Sequence, residues 1–121
     1  MRLIKDHRLY RFLSIGWMVL IFWLPSRPEL PVPMLFWGQD KLVHALVFGI
    51  LAFLYARSFR PREENPSFAR VLLITLMVAA YGVFDEVHQM FIPGRDASIA
   101  DLIADTAGGF FSAVGFHHKR L

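Results

Sequence analysis

The sequence predicts an all-α membrane protein, a small bundle of four transmembrane helices with both chain ends in the cytoplasm. Three observations predict this fold class: an apolar composition, four apolar stretches long enough to span a membrane, and an uneven distribution of basic residues. Hydrophobic residues make up 55% of the 121 positions and charged residues 19%, and the mean hydropathy is +0.43. Because one small soluble domain cannot bury this much apolar surface, the composition favours lipid as the surrounding medium.

Composition also excludes some kinds of function. The chain has no cysteine, so it has neither a disulfide framework nor thiolate chemistry. The formal net charge is +3, but the 13 Lys and Arg residues lie between the apolar stretches instead of forming one basic patch. Nucleic acid is therefore not an expected partner.

The four predicted spans cover residues 9–24, 41–59, 69–84 and 98–116, and charged residues or proline bound each of them. A bilayer core needs about 20 helical residues. The first span is short and follows a basic stretch, but Trp23-Leu24-Pro25 offers no signal-peptide cleavage site, so we expect a retained helix. Four prolines between Pro25 and Pro33 predict an extended connection after it. We expect residues 1–121 to form a single transmembrane domain.

Basic residues predict the orientation of the bundle, because Lys and Arg near span ends are held on the cytoplasmic side. With four spans, ten of the 13 basic residues flank the chain ends and the second connection, which places these regions inside. The other three are Arg27, Lys41 and Arg95. The polar ends of the last three spans are therefore predicted to face outward.

Helical spacing predicts that small and polar residues share one face on each of these three spans. The fourth span carries Ser98, Asp101, Asp105, Gly108 and Ser112 at this spacing. The third carries Thr75, Ala79, Gly82, Glu86 and Gln89, and the second carries Ala45, Gly49, Ala52 and Ala56 beside Lys41 and His44. Small residues let membrane helices approach closely, so we expect these faces to pack. Packing would gather one outward cluster: Asp40, Lys41, His44, Glu86, Gln89, Arg95, Asp101 and Asp105.

The cluster has a functional and a structural interpretation. Asp105 lies about 10 Å along the helix from Ser98, where a carboxylate costs about 2.5–3.5 kcal/mol unless it is protonated, paired or bound to a cation. Ionisable residues within a span seldom lack a role, yet interhelical hydrogen bonding alone is also compatible with this pattern. Arg95 could bind phosphate or neutralise the acids. A metal set of Glu86, His88, Asp101 and Asp105 is conceivable, but no tight motif such as HExxH supports it, so metal and cofactor stay unknown.

Three motifs resemble the VanZ-like membrane proteins over about residues 40–115. They are Asp40-Lys41-Leu42-Val43-His44, Glu86-x-x-Gln89-x-Phe91-x-Pro93-Gly94-Arg95, and Asp101-x-x-x-Asp105-x-x-Gly108. The family pattern usually has Asn where this chain has Asp105, so the aspartate adds a titratable group. The resemblance implies a bacterial inner-membrane protein, and the founding member is associated with resistance to the glycopeptide teicoplanin.

The leading hypothesis is an inner-membrane protein whose periplasmic site acts on or binds a lipid headgroup or a lipid-linked cell-envelope component. The candidate catalytic residues are Glu86, Asp101, Asp105 and His44, and the candidate substrate-binding residues are Asp40, Lys41, Gln89 and Arg95. One alternative is a binder that captures a headgroup, a cation or an antibiotic's lipid tail unchanged. Another is a structural or accessory subunit whose polar stripes only hold the helices together. Ion transport is less favoured, because the inner span ends carry no matching acids.

Overall fold

The structure is a computed structural model that describes residues 6–23, 35–36, 38–59, 68–94 and 98–119. These residues form four helices: α1 (His7–Trp23), α2 (Gln39–Ser58), α3 (Phe68–Gln89) and α4 (Ile99–Lys119). No strand occurs within the described ranges. The all-α class is confirmed, while the proline-rich connection and Arg95 lie outside the described residues.

Each helix lies on one of the four predicted apolar stretches, and the largest difference is at the end of α3. This helix continues to Gln89, five residues past the end of the predicted span at residue 84, as the helical spacing of Glu86 and Gln89 predicts, and Asp85, Glu86 and Gln89 are buried. After it, Gly94 adopts φ 81°, a left-handed conformation that glycine accepts readily, within the turn expected from Pro93-Gly94. By length and composition, α2 and α3 could each cross a membrane.

Successive helices run in opposite directions. At one end of the bundle, side chains from α1 and α3 donate to the last carbonyl groups of α2. His7 Nδ1 lies 3.1 Å from Arg57 O, and Arg70 Nη2 lies 2.8 Å from Ala56 O. The opposite end, called the polar end below, therefore combines the start of α2, the end of α3 and the start of α4.

Small residues bring α4 into close contact with both α2 and α3. A Cβ atom on Gly108 would collide with the main chain of Ala45 on α2, and one on Gly109 would lie 2.7 Å from Val78 Cγ1 on α3. Further along α2, Ser112 Oγ donates a 2.7 Å hydrogen bond to Gly49 O. The predicted packing of the small faces is thus confirmed between α2 and α4, whereas the contact of Gly109 with Val78 lies off the predicted faces.

Large apolar side chains cover the outside of the bundle. Exposed fractions reach 74% for Phe12 on α1, 60% for Leu46 on α2, 58% for Leu76 on α3 and 64% for Ile103 on α4. The buried core, centred on Phe48, also contains the ionisable Asp105. A water-soluble bundle has polar residues on its outside, so this apolar outer surface suits hydrocarbon.

Candidate functional site

Two successive ion pairs join α2 to α4 at the polar end. Lys41 Nζ lies 2.5 Å from Asp101 Oδ1, and His44 Nδ1, one turn deeper, lies 2.8 Å from Asp105 Oδ1. His44 Nε2 is also 3.8 Å from Asp101 Oδ2. The spacing of three residues on α2 and four on α4 keeps both pairs on the facing sides of the two parallel helices. These four residues are therefore positioned by the close contact of Gly108 with Ala45 just below them.

The two pairs differ in their exposure. The side chain of Lys41 is 39% exposed and that of Asp101 12%, whereas Asp105 is fully buried beneath them. Charge interactions strengthen as water is excluded, and a buried charge that loses its partner is costly. The inner pair of His44 and Asp105 is thus the more sensitive of the two to substitution.

Helix α3 contributes Glu86, which contacts the first turn of α4. Glu86 Oε2 accepts a 2.8 Å hydrogen bond from the main-chain nitrogen of Ser98, and Ser98 Oγ accepts one of 3.3 Å from the nitrogen of Asp101. Free main-chain N–H groups at a helix start need such acceptors. The start of α4, which carries Asp101 and Asp105, is therefore held by its own N-cap and by α3.

Asp85 is a member of the cluster that sequence reasoning left out. It is only 2% exposed, and its Oδ2 accepts a 3.3 Å hydrogen bond from Gln89 Nε2. The predicted face of α3 included Glu86 but not the adjacent Asp85. Because α3 packs against more than one helix, both residues point inward. A detectable signal was the spacing of Asp85, which lies three residues after Gly82 and four before Gln89.

Three carboxylates of the site share an unusual pattern of hydrogen bonding. Asp85 Oδ1, Glu86 Oε1 and Asp105 Oδ2 are buried and have no hydrogen-bond partner among the described residues, whereas the second oxygen of each is held. Buried polar atoms are seldom left in this state, since desolvation is then uncompensated. Gly82 makes room for Asp105 here, because a Cβ atom on this glycine would lie 3.3 Å from Asp105 Oδ2.

Two overlapping groups of side chains have ligand atoms close enough to share a metal ion. One comprises His44, Glu86 and Asp101, and the other comprises Asp85, Glu86 and Asp105, with the ligand atoms of each group within 4.8 Å of one another. The set predicted from sequence also included His88. Its ring stacks on Phe22 of α1, with 3.8 Å between ring centroids, and His88 belongs to neither group.

The structure places the predicted site residues at different positions relative to the cluster. The structure brings together one set of them: Lys41, His44, Glu86, Asp101 and Asp105. Gln89 is buried, but its amide binds Asp85. Asp40 lies at the rim, where its side chain is 56% exposed and 2.7 Å from Lys41 Nζ. Arg95 lies outside the described residues, and the catalytic and binding roles of all these residues stay predictions.

Two open grooves lie side by side between α3 and α4 and share Leu102. The smaller, of about 160 Å³, is lined at the polar end by Glu86 and Ser98 together with apolar side chains such as Val87. The larger, of about 540 Å³, continues past Thr75 and is almost entirely apolar. Leu102 thus joins an apolar groove to one that Glu86 lines.

Comparison with models of known protein families finds a match for this chain. The family model described as VanZ/LLP1 matches residues 8–120, which include nearly all of the described helices. No curated protein and no solved structure was found to match the chain. The likeness first seen in the motifs of the last three helices therefore extends to α1.

Proposed function

The chain belongs to the VanZ/LLP1 family, and from this premise we propose that it is an integral membrane protein that binds a lipid or lipid-linked cell-envelope component. All four helices would cross the bilayer, and the polar end would meet the headgroup on the outer side. One observation carries the proposal: the apolar grooves between α3 and α4 end at Glu86, a member of the buried ionisable cluster.

Several features support four crossings. The helices alternate in direction, apolar side chains cover every helix, and the arginines that bind the end of α2 lie at the opposite end from the acidic cluster. Basic residues are retained on the cytoplasmic side. We therefore place the chain in a bacterial inner membrane, with Arg11 and Arg70 near the cytoplasm and the cluster near the periplasm.

The grooves suggest how a lipid would lie. An acyl chain along Leu102 and Phe110 would place its headgroup beside Glu86 and Ser98, because lipid chains run roughly along transmembrane helices. Specific sites commonly combine an apolar lining with a few convergent polar groups. The same residues offer acid–base chemistry: Asp105 orients the ring of His44, and Glu86 and His44 are the groups that would exchange protons with a bound headgroup.

The proposal is tested by crosslinking with photoactivatable phosphatidylethanolamine and phosphatidylglycerol in vesicles that contain the purified protein. Leu102→Trp fills the junction of the two grooves, whereas Leu46→Trp adds the same ring to an exposed position on α2 that lines neither groove. We expect Leu102→Trp to reduce crosslinking to α3 and α4 several-fold and Leu46→Trp to leave it unchanged. Equal crosslinking in the wild type and both variants would contradict lipid binding in the grooves.

A second candidate function is that of a structural or accessory subunit. It is favoured by the direct pairing of Lys41 with Asp101 and of His44 with Asp105, which by itself would hold α2 against α4. Under this interpretation, Glu86→Gln would change stability and lipid crosslinking together. Under the lipid-binding proposal, crosslinking falls in Glu86→Gln while the melting temperature and helical content stay close to those of the wild type.

A further inference from the structure

We propose that Asp85, Glu86 and Asp105 together bind a divalent cation between α3 and α4. One ligand oxygen from each of the three lies within 4.8 Å of the others, and all three residues are more than nine-tenths buried. Each also has one oxygen with no hydrogen-bond partner among the described residues. A cation held among the three carboxylates would compensate groups that are buried and only half supplied with protein donors.

The donor set indicates the class of ion. Carboxylate oxygens suit hard cations such as Mg²⁺, Mn²⁺ and Ca²⁺, whose oxygen ligands lie about 2.0–2.6 Å from the metal. Two ligands of one ion are therefore at most about 4–5 Å apart, which agrees with the 4.8 Å within which one carboxylate oxygen from each residue lies. The thiolates that favour softer metals do not occur in the chain.

The balance of charge points the same way. Asp101 is paired with Lys41 and Asp105 with His44, but Asp85 and Glu86 have no basic side chain within 4 Å among the described residues. Two buried carboxylates that have no ion pair of their own are costly in any membrane-embedded bundle. A divalent cation would compensate both charges at once.

The three carboxylates are already oriented as metal ligands usually are. His44 binds one oxygen of Asp105, the amide of Gln89 binds one oxygen of Asp85, and the nitrogen of Ser98 binds one oxygen of Glu86. Hydrogen bonds of this kind fix the direction of ligands and are a regular part of metal sites. His44 and Gln89 would thus be positioning residues for the cation.

Such a cation would also explain how an acid-rich end could accept a phosphate-bearing headgroup, a role that rests on the proposed lipid binding. Glu86 lines the smaller groove, so a cation beside it would have an open position toward a lipid in that groove. Three protein ligands leave sites for water or for a phosphate oxygen on an ion that takes six or more. Cation binding itself does not depend on this role.

The test uses the full chain, purified in detergent and treated with EDTA. Mn²⁺ is titrated in the absence of added lipid, and electron paramagnetic resonance measures the ion that stays free. We expect about one saturable Mn²⁺ per chain, displaced by Mg²⁺ or Ca²⁺, and a rise in melting temperature with Mn²⁺ because ligands that bind only the folded state stabilise it.

Asp85→Asn and Glu86→Gln each remove one charged ligand with little change of shape. We expect both to weaken Mn²⁺ binding at least about ten-fold, as loss of even outer partners of a metal does, and to abolish the Mn²⁺-dependent rise in melting temperature. Asp6→Asn is the matched control, because Asp6 is an exposed acid that caps α1 at the other end and asparagine caps equally well.

Two results would overturn the inference. One is that folded wild-type protein shows no saturable binding at about 1 mM Mn²⁺, a concentration at the weak end of protein cation sites. The other is that the wild type, Asp85→Asn and Glu86→Gln bind Mn²⁺ equally. Normal helical content of the variants in circular dichroism ensures that a loss is not unfolding. Lipid crosslinking with and without Mn²⁺ then separates the two proposals, since cation binding without lipid binding would remove only the proposed function.

Discussion

Gly108 is the residue whose side chain the fold can least accommodate. A methyl group there would meet the main chain of Ala45, which cannot rotate away as a side chain can. We predict that Gly108→Ala destabilises the bundle by about 1–3 kcal/mol, the usual cost of overpacking. Unfolding in mixed detergent micelles measures this, with Gly115→Ala as the control, because nothing lies within 4 Å of the corresponding position. Equal stability of the two variants would contradict the close contact.

The two ion pairs between α2 and α4 lead to a second prediction. His44→Leu leaves the fully buried Asp105 without its partner, which should cost about 3–5 kcal/mol. Lys41→Met removes a side chain that is 39% exposed and should cost less than about 1 kcal/mol. The same unfolding assay compares them. Adding Asp105→Asn to His44→Leu should recover part of the loss, and the absence of any recovery would argue against a charge-based cause.

Most of the cluster could be predicted from spacing alone, because residues three and four apart on a helix share a face whatever their partners are. Lys41, His44, Asp101 and Asp105 are examples of this rule. The partners of Gln89 could not be predicted, since they depend on how α3 is rotated against its neighbours. That rotation also buries Asp85, which periodicity placed beside the predicted face.

At the scale of helices, Glu86 stabilises the start of α4, which is separate from its proposed role as a ligand of the cation. It accepts the main-chain N–H of Ser98 and so helps to start α4. We predict that Glu86→Ala loosens the first turn of α4 by about 0.5–2 kcal/mol, the range for lost caps, and that Glu86→Gln loosens it much less because its amide oxygen still accepts. Hydrogen–deuterium exchange at residues 98–102 measures the difference.

The existence of four helices follows from apolar length and bounding charges, whereas the end of α3 does not. A run of polar residues after an apolar stretch normally marks the point at which a helix leaves the membrane. Here Asp85, Glu86 and Gln89 continue the helix because the neighbouring helices, and not water, receive their side chains. Helical spacing already placed Glu86 and Gln89 on the packing face, whereas the burial of Asp85 is a tertiary effect that the spacing did not predict.

For the whole molecule, the testable property is orientation. We predict that green fluorescent protein fluoresces when it is fused to either chain end in a bacterial host, since it matures in the cytoplasm. Alkaline phosphatase inserted between residues 28 and 32 should be active, because it folds only in the periplasm. Fluorescence from one end alone would contradict four crossings and would indicate an odd number.

The orientation stays a prediction from the distribution of basic residues, and the packing shows only which of these residues lie at which end of the bundle. Arg11 and Arg70 bind carbonyl groups at the end of α2, while Lys41 is drawn to the acids at the polar end. Arg95 cannot be assigned to either end, because it lies outside the described residues. Which ligand the polar end binds could not be predicted, since several chemistries share the same acids.

The parallel contact of α2 with α4 has a consequence for the order in which the protein is made. These two helices are separated in the sequence by all of α3, so during synthesis Lys41 and His44 emerge about sixty residues before Asp101 and Asp105. A nascent chain that has only its first three helices therefore lacks the α4 partners of Lys41, His44 and Glu86. The contacts that join the site across helices are therefore completed only after α4 has been made, because Asp101, Asp105 and Ser98 all lie at its start.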